Sequence, residues 1–532
     1  MKVVHIPNQR AGVVSPLMVD YLEQSQDLRS CVEDWMTKGG LDSRLKSRCF
    51  SDASRKVLVK SLRNQYHGVT KLSELTQNNI EALSESNTFT VVTGHQLSLF
   101  TGPLYFLYKI ITAINLAKEL NVKHTNNQIV PVFWMATEDH DFEEIASVKV
   151  NNQKFTWNRS AEGATGRMST EGLPELWSQI RSVLPPGTRS DQLNTWFSQY
   201  AKGENLTTAT RQLVNDLFGE YGLVIIDGDD RDLKSLFIPQ IKDELLVSKT
   251  QQCVEEQSHI LKKKHKVQAY AREINLFYLT AYGRHRIEKS TGGYFLVDSP
   301  ISFTQEELLS QVDSHPERFS PNVILRPVYQ EVVLPNLAYI GGGGELAYWL
   351  QIKSNFERLQ VDFPILWLRN SAGILSAPGN HHLLRMKISL EEALSDYDHA
   401  MRKWIEDHSE TPLSLVQTEV GLQEVFEKLK RDVVKTHPSM QDAIEAEKTR
   451  QLKSVKRLEK KLLRAEKRQH SEALSHVDRF RDELLPTGTP QERVENLTLG
   501  FSTFGHEFIS GLVDSLNPFS NEFTLLIDTK EQ

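Results

Sequence analysis

The chain has 532 residues, which is too many for one compact core, so we expect two or more structural units. Hydrophobic residues make up 39% and charged residues 25% of the sequence, as is typical of a folded globular protein. A formal net charge of -7 argues against nucleic acid as a partner, because proteins that bind it present basic surfaces.

The three cysteines, Cys31, Cys49 and Cys253, are widely separated, so neither a disulfide framework nor a cysteine-rich zinc site is indicated. The N-terminus lacks the apolar run and cleavage site of a signal peptide. No stretch of the sequence is long and apolar enough to cross a bilayer. We therefore expect a cytoplasmic, soluble protein that has no membrane partner.

The sequence predicts an α/β core that is preceded by a helical segment over residues 1–88. A β-branched run at residues 89–93 reads as a strand, and Gly102-Pro103 suits the start of a helix. Apolar residues then recur at helical spacing over residues 104–120, and a continuous apolar run follows at 129–136. This order is a β-α-β unit with parallel strands, which places ligands outside the carboxyl ends of the strands.

Further buried strands are predicted within a core that extends from residue 89 to residue 389. They lie at residues 223–227, 322–326, 337–340 and 364–368. Two intervals, 151–221 and 231–320, are too long to be loops, so we expect them to form inserted helical and mixed subdomains.

After Ser389 strand signals almost vanish, and charged helical sequence predicts a coiled-coil arm over residues 390–485. Between Ile444 and Leu484 an apolar stripe has near-heptad spacing; it consists of Leu452, Val455, Leu458, Leu462, Ala465, Ala473, Val477 and Phe480. The expected antiparallel partner is residues 390–434, interrupted near Pro412. Residues 486–532 are expected to return to the core.

The first candidate site is Thr93-Gly94-His95-Gln96 at the end of the first core strand. A Gly-His pair there can bring backbone N–H groups and an imidazole against a phosphate. A structural turn is the alternative, since glycine at a turn between a strand and a helix needs no ligand to explain it.

The second candidate follows Trp134, where Glu138, Asp139, His140 and Asp141 crowd the end of a buried strand. Carboxylates so close together repel one another unless water, an amine or a metal lies among them. Two other interpretations stay open: acidic residues that stabilise a first helical turn, and a divalent metal site.

The third candidate is the loop Gly341–Gly344, in which Gly342 and Gly344 let the backbone approach a ligand, with Glu345 and Tyr348 in the following helix. Glu345 at the helix start disfavours a phosphate and favours an amine or hydroxyl. A flexible hinge is the alternative. Arg326, predicted at the end of its own strand, can hold a carboxylate or phosphate, or form a structural salt bridge.

These segments together resemble the bacillithiol synthase family over nearly the whole chain. The resemblance is carried by long motifs in one order: Thr93-Gly-His-Gln96, Phe100-Thr-Gly-Pro-Leu-Tyr105 with Lys109, Pro131-Val-Phe-Trp-Met-Ala-Thr-Glu-Asp-His-Asp141, Phe319-Ser-Pro-Asn-Val-Ile-Leu-Arg-Pro327, Leu334-Pro335, Ala338-Tyr-Ile-Gly-Gly342 and Gly344-Glu-Leu-Ala-Tyr-Trp349.

The resemblance implies a Rossmann-like core akin to class I aminoacyl-tRNA synthetases, and a coiled coil that forms a homodimer. It implies a ligase that adds L-cysteine to the amine of glucosaminyl-malate to give bacillithiol. Gly94-His95 would match the end of the His-Ile-Gly-His signature of nucleotidylyl transferases, with Val92 at the position of the first histidine.

Joining a carboxylate to an amine in water needs activation, so ATP or another activating nucleotide is expected to form an acyl-adenylate or acyl-phosphate of cysteine. His95 and Gln96 would steady phosphates or developing negative charge, and Arg326 would hold a substrate carboxylate. Asp139, His140 and Asp141 would bind an ammonium group or accept its proton.

Two rival functions stay open on the sequence alone. A metal-dependent hydrolase would use the Glu-Asp-His-Asp cluster as ligands, although no metal is assigned. A coiled-coil scaffold with an inactive nucleotide-binding core would bind nucleotide without turnover.

Overall fold

The computed structural model describes residues 1–151, 153–160, 163–184, 186–395, 397–410 and 413–529. The chain folds as two units. The first unit comprises Met1–Gln9, Val13–Ile374 and Thr489–Leu526, and the second comprises Arg10–Gly12, Leu375–Gly488 and the described residues after Leu526. The chain thus leaves the first unit at Ile374, before the predicted boundary at Ser389.

The N-terminal segment begins with a strand and continues as helices. Its elements are β1 (Lys2–Pro7), α1 (Pro16–Leu22), α2 (Lys38–Ser47), α3 (Asp52–Gln65) and α4 (Glu74–Ala82). The all-helical prediction for residues 1–88 was therefore wrong at its start, because β1 joins a small sheet in the order β1-β15-β14 with strands from much later in the chain.

The predicted β-α-β unit is confirmed as β2 (Thr88–His95), α5 (Tyr105–Lys123) and β3 (Gln128–Met135). The strands β2 and β3 pair in parallel, with Thr93 opposite Phe133. Helix α5 is buried over most of its length, which matches its nearly continuous apolar sequence.

Two insertions separate later strands of the core, as predicted. The first holds α6 (Phe142–Ile145), β4 (Ser147–Val150), β5 (Gln153–Thr156), α7 (Leu173–Ser182), α8 (Thr188–Tyr200) and α9 (Leu206–Phe218), and β6 (Val224–Asp227) then returns to the core. The second holds α10 (Arg231–Ser235), α11 (Ile238–Leu246), α12 (Thr250–Leu261), β7 (Leu276–Leu279), β8 (Arg284–Ser290), β9 (Gly293–Leu296), β10 (Ser302–Phe303), α13 (Gln305–Ser314) and β11 (Phe319–Pro321). Its strands form an antiparallel sheet in the order β10-β9-β8-β7-β11.

The core continues with α14 (Arg326–Val333), β12 (Asn336–Gly341), α15 (Gly343–Trp349), α16 (Lys353–Arg358), β13 (Ile365–Leu368) and β14 (Ser371–Leu375). Its parallel sheet has the order β13-β12-β2-β3-β6 in the described part of the chain. The chain runs from β2 outward to β3 and β6, and then returns to the other side of β2 with β12 and β13. The order therefore reverses between β2 and β12, and such a switch point opens a crevice at the carboxyl ends of the strands.

The predicted strand at residues 322–326 was wrong. The short strand β11 ends at Pro321, and the side chain of Asn322 then accepts hydrogen bonds from the backbone of Ile324 and Leu325. This turn leads into α14, where Pro327 occupies a first-turn position that suits proline. Arg326 therefore begins a helix and does not end a strand.

The second unit is helical, with α17 (Ala377–Met386), α18 (Leu390–Ser395), α19 (Tyr397–His408), α20 (Val416–Val434), α21 (Gln441–Gln469) and α22 (Ser471–Leu484). The ion pairs Lys430–Glu445 and Lys448–Glu427 show that α20 and α21 pack antiparallel, as predicted. The apolar stripe from Ile444 to Leu484 is divided between two helices, because α21 ends at Gln469 and α22, which begins at Ser471, packs on α17. Pro412 lies outside the described residues.

The C-terminal part returns to the first unit with α23 (Leu497–Phe504), α24 (Glu507–Ser515) and β15 (Glu522–Ile527). Asn496 donates two side-chain hydrogen bonds, to the backbone oxygens of Phe100 and Gly102, and so ties this segment to the loop before α5. Among the helices of the described residues, none combines the length and apolar character needed to cross a membrane.

Candidate active site

A cavity of about 800 Å³ opens at the carboxyl ends of the parallel strands, at the switch point between β2 and β12. Four core strands supply its walls through the residues that follow them, and the second insertion and the C-terminal segment complete it. The residues that line it include Gly94, His95, Gln96, Tyr105, Lys109, Trp134, Glu138, Asp139, His140, Glu144, Arg284, Arg326, Tyr339, Gly342, Gly344, Glu345, Tyr348, Arg369 and Arg493.

His95, the last residue of β2, has a defined tautomer. Its Nδ1 lies 2.9 Å from the backbone oxygen of Gln96, and because a carbonyl oxygen only accepts, Nδ1 carries the proton. Burial and the nearby Lys109 charge lower the pKa of His95 to about 4. The ring is thus neutral at neutral pH, and Nε2 is left as a hydrogen-bond acceptor. An N–H or O–H group is a better partner for it than a phosphate oxygen.

Lys109, which is buried, and Glu345, which is partly exposed, form an ion pair in the cavity lining. The Lys109 ammonium lies 2.8 Å from both Glu345 carboxylate oxygens and also donates to the backbone oxygen of Gly94. Glu345 accepts further hydrogen bonds from the Gly342 N–H at 2.9 Å and the Tyr339 hydroxyl at 3.1 Å. The carboxylate therefore accepts the backbone N–H of Gly342 that a phosphate would need. The glycine loop is linked through Glu345 and Lys109 to β2, and it is not arranged to bind a phosphate.

Arg326 projects from the first turn of α14 into the same region. Its Nη1 donates to the Gln330 side-chain oxygen at 3.1 Å, and its guanidinium lies over the Tyr339 ring at 5.6 Å. Its buried Nη2 has no hydrogen-bond partner among the described residues. Arg326 also has no carboxylate partner there, whereas Lys109 is paired with Glu345.

Arg369 directly follows β13 and is held by Glu492. Two hydrogen bonds, of 2.6 and 3.1 Å, join the guanidinium to this carboxylate, and both side chains are buried. The guanidinium lies 5.4 Å from the Tyr105 ring centre, while its buried Nε has no partner within the described ranges. Arg493, which is exposed, adds a further cation to this side of the cavity.

Asp139, which also lines the cavity, is held by several hydrogen-bond donors. One of its oxygens accepts from Gln96 Nε2 at 2.8 Å, and the other accepts from the backbone of His140 at 2.8 Å and of Asp141 at 3.3 Å. Burial raises the pKa of Asp139, but the hydrogen bonds from His140 and Gln96 and the charge of Arg284 outweigh it and lower that pKa below its ordinary value. Asp139 is therefore an ionised carboxylate at the cavity wall.

Arg284, the first residue of β8, orients His140. Its Nη1 lies 3.0 Å from His140 Nδ1, and since arginine only donates, that nitrogen is unprotonated and Nε2 carries the hydrogen. Arg284 is fixed by further hydrogen bonds to the Ser320 hydroxyl at 3.1 Å and the Pro321 backbone oxygen at 2.9 Å. His140 thus presents a donor, and its basic nitrogen is already occupied.

Glu138 has a structural partner. It forms an ion pair with the fully buried Lys234, which also donates to the backbone oxygen of Phe319 at 2.5 Å. Each member of the acidic cluster therefore has its own partner: Glu138 pairs with Lys234, Asp139 accepts from Gln96, and His140 accepts from Arg284. Among the described residues no group of three or more His, Cys, Asp or Glu side chains is arranged to hold a metal ion.

The structure brings most of the predicted site residues together. His95, Gln96, Asp139 and His140 line one cavity, as do the following predicted substrate-binding residues: Gly94, Trp134, Glu138, Arg326, Gly342, Gly344, Glu345 and Tyr348. Two predicted residues do not line it. Thr93 is fully buried and donates to the backbone oxygen of Ile340 at 2.9 Å, and Asp141 is exposed outside the cavity because the chain turns away after His140.

Several cavity residues were missed by sequence reasoning. Arg369 directly follows a predicted strand, so the rule that ligands bind beyond strand ends offered a signal. Arg284 lies in an antiparallel sheet within an insertion, and Arg493 lies in the C-terminal segment, and no motif marks either one. Lys109 was part of a family motif but had no assigned role.

Two family models cover the chain. The model described as "Bacillithiol biosynthesis BshC, N-terminal Rossmann-like domain" matches residues 1–370, and "Bacillithiol biosynthesis BshC, C-terminal coiled-coil domain" matches residues 374–527. The chain belongs to the bacillithiol biosynthesis BshC family. This membership confirms the predicted Rossmann-like core and coiled-coil unit, and it indicates a role in bacillithiol biosynthesis.

Curated relatives are similar over their full lengths. A protein from Flavobacterium psychrophilum named "Putative cysteine ligase BshC" is 41% identical, with 98% of each chain covered. Relatives of the same name from Christiangramia forsetii and Bacillus cereus (strain ATCC 14579) are 41% and 28% identical, with 97% and 98% of each chain covered.

Proposed function

We propose that this protein is a ligase that joins the carboxyl group of L-cysteine to the amine of glucosaminyl-malate, forming an amide bond and giving bacillithiol. The name of the relatives supports a cysteine ligase. The arrangement of charge in the cavity supports the choice of substrates.

The observation that carries the proposal is the separation of unlike charges across one cavity. On one side Arg326 is a cation without a carboxylate partner, and Arg369 has an unpartnered Nε–H. Asp139, in the same lining, is an ionised carboxylate whose nearest cation, Arg284, lies 4.0 Å away. A buried cation without its anion is unfavourable until an anion meets it, and an ionised carboxylate can accept from an amine, so the site suits substrates that carry both carboxylates and an amine. Cysteine and glucosaminyl-malate both carry these groups.

Each side has a role in this proposal. Arg326 binds a substrate carboxylate, for which malate is the natural source, and a bidentate contact fixes its direction. Asp139, held by Gln96, binds the attacking amine. The neutral His95 accepts a hydrogen bond from that nitrogen through Nε2, and the nitrogen becomes more acidic as the C–N bond forms, so His95 is placed to receive its proton.

Activation of the cysteine carboxyl group is assigned to ATP, which makes one carboxyl oxygen part of a phosphate-containing leaving group. The residues of the cavity fit an anionic activator at the Arg326, Arg369 and Arg493 side. The glycine loop does not fit one, because Glu345 already accepts the Gly342 N–H.

The proposal is tested by mass spectrometry of the protein incubated with cysteine, glucosaminyl-malate and ATP, with each component omitted in turn. A product at the mass of bacillithiol only in the complete mixture is expected. Product without ATP would contradict the assigned activator, and no product from folded protein in the complete mixture would contradict the ligase.

Asp139 and Asp141 form a matched pair of variants for the roles within the site. Asp139→Asn removes the carboxylate that faces the cavity, so we expect turnover to fall about 100-fold, in line with the loss of a charged hydrogen bond. Asp141→Asn makes the same chemical change outside the cavity, and we expect activity within about twofold of wild type, as for a surface substitution away from such contacts. Equal losses in the two variants would contradict the assignment of Asp139.

A homodimer through the coiled coil is part of the same proposal. Helix α20 has no buried residue among those described, and it exposes Val416, Val420, Val425 and Leu429. Light scattering after size-exclusion chromatography is expected to give twice the chain mass of 60.8 kDa. A mass of one chain at micromolar concentration would contradict the dimer.

A further inference from the structure

Behind Arg326, outside the cavity, lies a buried polar pair that the proposed reaction does not use. Gln330 is 0% exposed and Glu331 is 1% exposed, and both belong to α14. Gln330 accepts from Arg326 Nη1 at 3.1 Å, and its Nε2 donates to Glu331 Oε1 at 2.8 Å. A chain of hydrogen bonds therefore runs from the interior of the protein to the guanidinium at the cavity.

The far end of this chain fixes the direction of the Gln330 amide. Glu331 Oε1 also accepts from Asn336 Nδ2 at 2.8 Å, and Asn336 is fully buried in β12. With this oxygen acting as an acceptor, the amide NH₂ of Gln330 has to face Glu331. The amide oxygen consequently faces Arg326, so Gln330 is held in the one orientation in which it can receive a guanidinium N–H.

We infer that Gln330 is a positioning residue that directs the Arg326 guanidinium into the cavity and, being neutral, adds no carboxylate that would compete with the bound substrate anion. The inference rests on the proposed function only in that it takes Arg326 to bind a substrate carboxylate.

The neighbouring Arg369 gives the contrast that supports this assignment. Arg369 is aimed by Glu492, a carboxylate that neutralises it. Arg326 is aimed by an amide at a comparable distance, and Nη2 keeps its donor capacity. The two arginines therefore differ in charge balance. Arg369 is paired with a carboxylate of the protein, whereas Arg326, hydrogen bonded to a neutral amide, can bind an anion.

The test is a double-mutant cycle on binding of glucosaminyl-malate by the full-length protein, measured by calorimetry. Arg326→Met removes the receptor, and Gln330→Met removes both hydrogen bonds of the amide at nearly constant side-chain length. We expect Gln330→Met to raise Kd about tenfold in the wild-type background, the usual weight of a hydrogen bond to a charged group. In the Arg326→Met background the same change is expected to alter Kd less than about twofold, since coupled residues are not additive.

A charge variant separates the effect of orienting Arg326 from the effect of the neutral charge of Gln330. Gln330→Glu keeps an acceptor for Arg326 but supplies a carboxylate that competes with the substrate. We expect it also to weaken binding about tenfold, because the receptor charge is compensated. An affinity equal to or better than wild type in Gln330→Glu would overturn the claim that neutrality matters.

Gln351 provides the structural control. It is likewise fully buried and hydrogen bonded through both ends of its amide, to Ser258 and the backbone of residues 268 and 269, away from the cavity lining. We expect Gln351→Met to lower thermal stability as Gln330→Met does, but to leave Kd within about twofold, as for residues that share no partners with the site.

Crystal structures of wild type and Gln330→Met make the inference independent of the ligand. A rotated or disordered Arg326 guanidinium in the variant supports it, and an unchanged guanidinium overturns it. Equal effects of Gln330→Met on Kd in both backgrounds would overturn it as well. Failure of wild type to bind glucosaminyl-malate would count against the proposed function, while the structural comparison would still decide the role of Gln330.

Discussion

Glu345→Gln is the substitution whose effect on stability follows most directly from the structure. It removes a carboxylate whose partner, Lys109, is only 2% exposed. The Gly342 N–H donates to one carboxylate oxygen and the Tyr339 hydroxyl to the other, so the single glutamine oxygen replaces only one of these acceptors. Lys109 loses its anion, and the Gly94 backbone oxygen still accepts from it.

The expected cost is that of a buried cation without its anion. Removing one partner of a buried ion pair costs about 3 to 5 kcal/mol. Because the Glu345 side chain is 29% exposed, we place the loss just below that range, at about 2 to 3 kcal/mol. Burial lowers the pKa of Lys109, whereas the Glu345 charge and hydrogen bonds raise it, so the variant ammonium is also easier to deprotonate. The destabilisation is therefore expected to be smaller at pH 9 than at pH 7.

Urea unfolding followed by tryptophan fluorescence measures this loss. Of the eight tryptophans, all except Trp404 belong to the first unit, so the signal reports mainly the unit that holds the ion pair. Glu81→Gln, in the exposed Arg63–Glu81 pair, is the matched control and should cost less than about 1 kcal/mol. The double variant Lys109→Met/Glu345→Gln should be more stable than Glu345→Gln alone, because no buried charge is left unpaired. A Glu345→Gln loss no larger than that of the control would refute the reasoning.

Three further predictions concern Arg284, His95 and Glu331. Arg284→Lys is expected to lower kcat/KM nearly as far as Arg284→Met, about tenfold, because lysine lacks the planar fork that reaches His140, Ser320 and Pro321; wild-type rates in Arg284→Lys would contradict this. His95, with its pKa lowered to about 4, should keep one neutral, Nδ1-protonated signal in ¹⁵N spectra between pH 8 and pH 5.5, assigned through His95→Gln; a titration near pH 6.5 would contradict it. Burial, opposed by the Arg48 charge, raises the pKa of Glu331 to about 7, so this group stabilises the fold at acid pH and loses that contribution as pH rises from about 4.5 through 7. Stability should fall by up to about 3 kcal/mol between pH 4.5 and pH 8 relative to Glu331→Gln, and an unchanged difference between the two proteins across that range would exclude the shift.

The core of the fold was predictable because its signals are local. The apolar strands and the periodic helix between β2 and β3 follow from residue spacing alone, and the parallel pairing follows from the β-α-β order. Residues 322–326 misled the prediction because their apolar run resembles a strand, while the deciding contacts are the Asn322 turn and Pro327. The strand β1 escaped notice because its partner β15 lies at the other end of the sequence.

The site was predictable where it follows strands and unpredictable where it depends on long-range pairing. Residues after β2, β3 and β12 were found from their position. Which carboxylate faces which cation was not visible: Glu138 pairs with Lys234 and Glu345 with Lys109, and both partners lie far away in sequence. The hydrogen-bond partners that set the tautomers of His95 and His140 were equally hidden, and they reverse the expected roles of donor and acceptor.

In the proposed reaction, these pairings decide which charged groups of a substrate the cavity favours. Lys109 and Arg369 are each paired with a carboxylate of the protein, and Arg369 keeps its Nε–H as a donor without a partner among the described residues. Arg326 is a buried cation of the lining without a carboxylate in ion-pair contact among the described residues, and Asp139 is an ionised carboxylate of the same lining whose nearest cation, Arg284, lies 4.0 Å away. In the proposed reaction, a ligand therefore gains most when it offers one anion to Arg326 and one amine to Asp139. Under the proposed function, selectivity for a substrate that carries both groups follows from these two side chains, and it does not require more contacts.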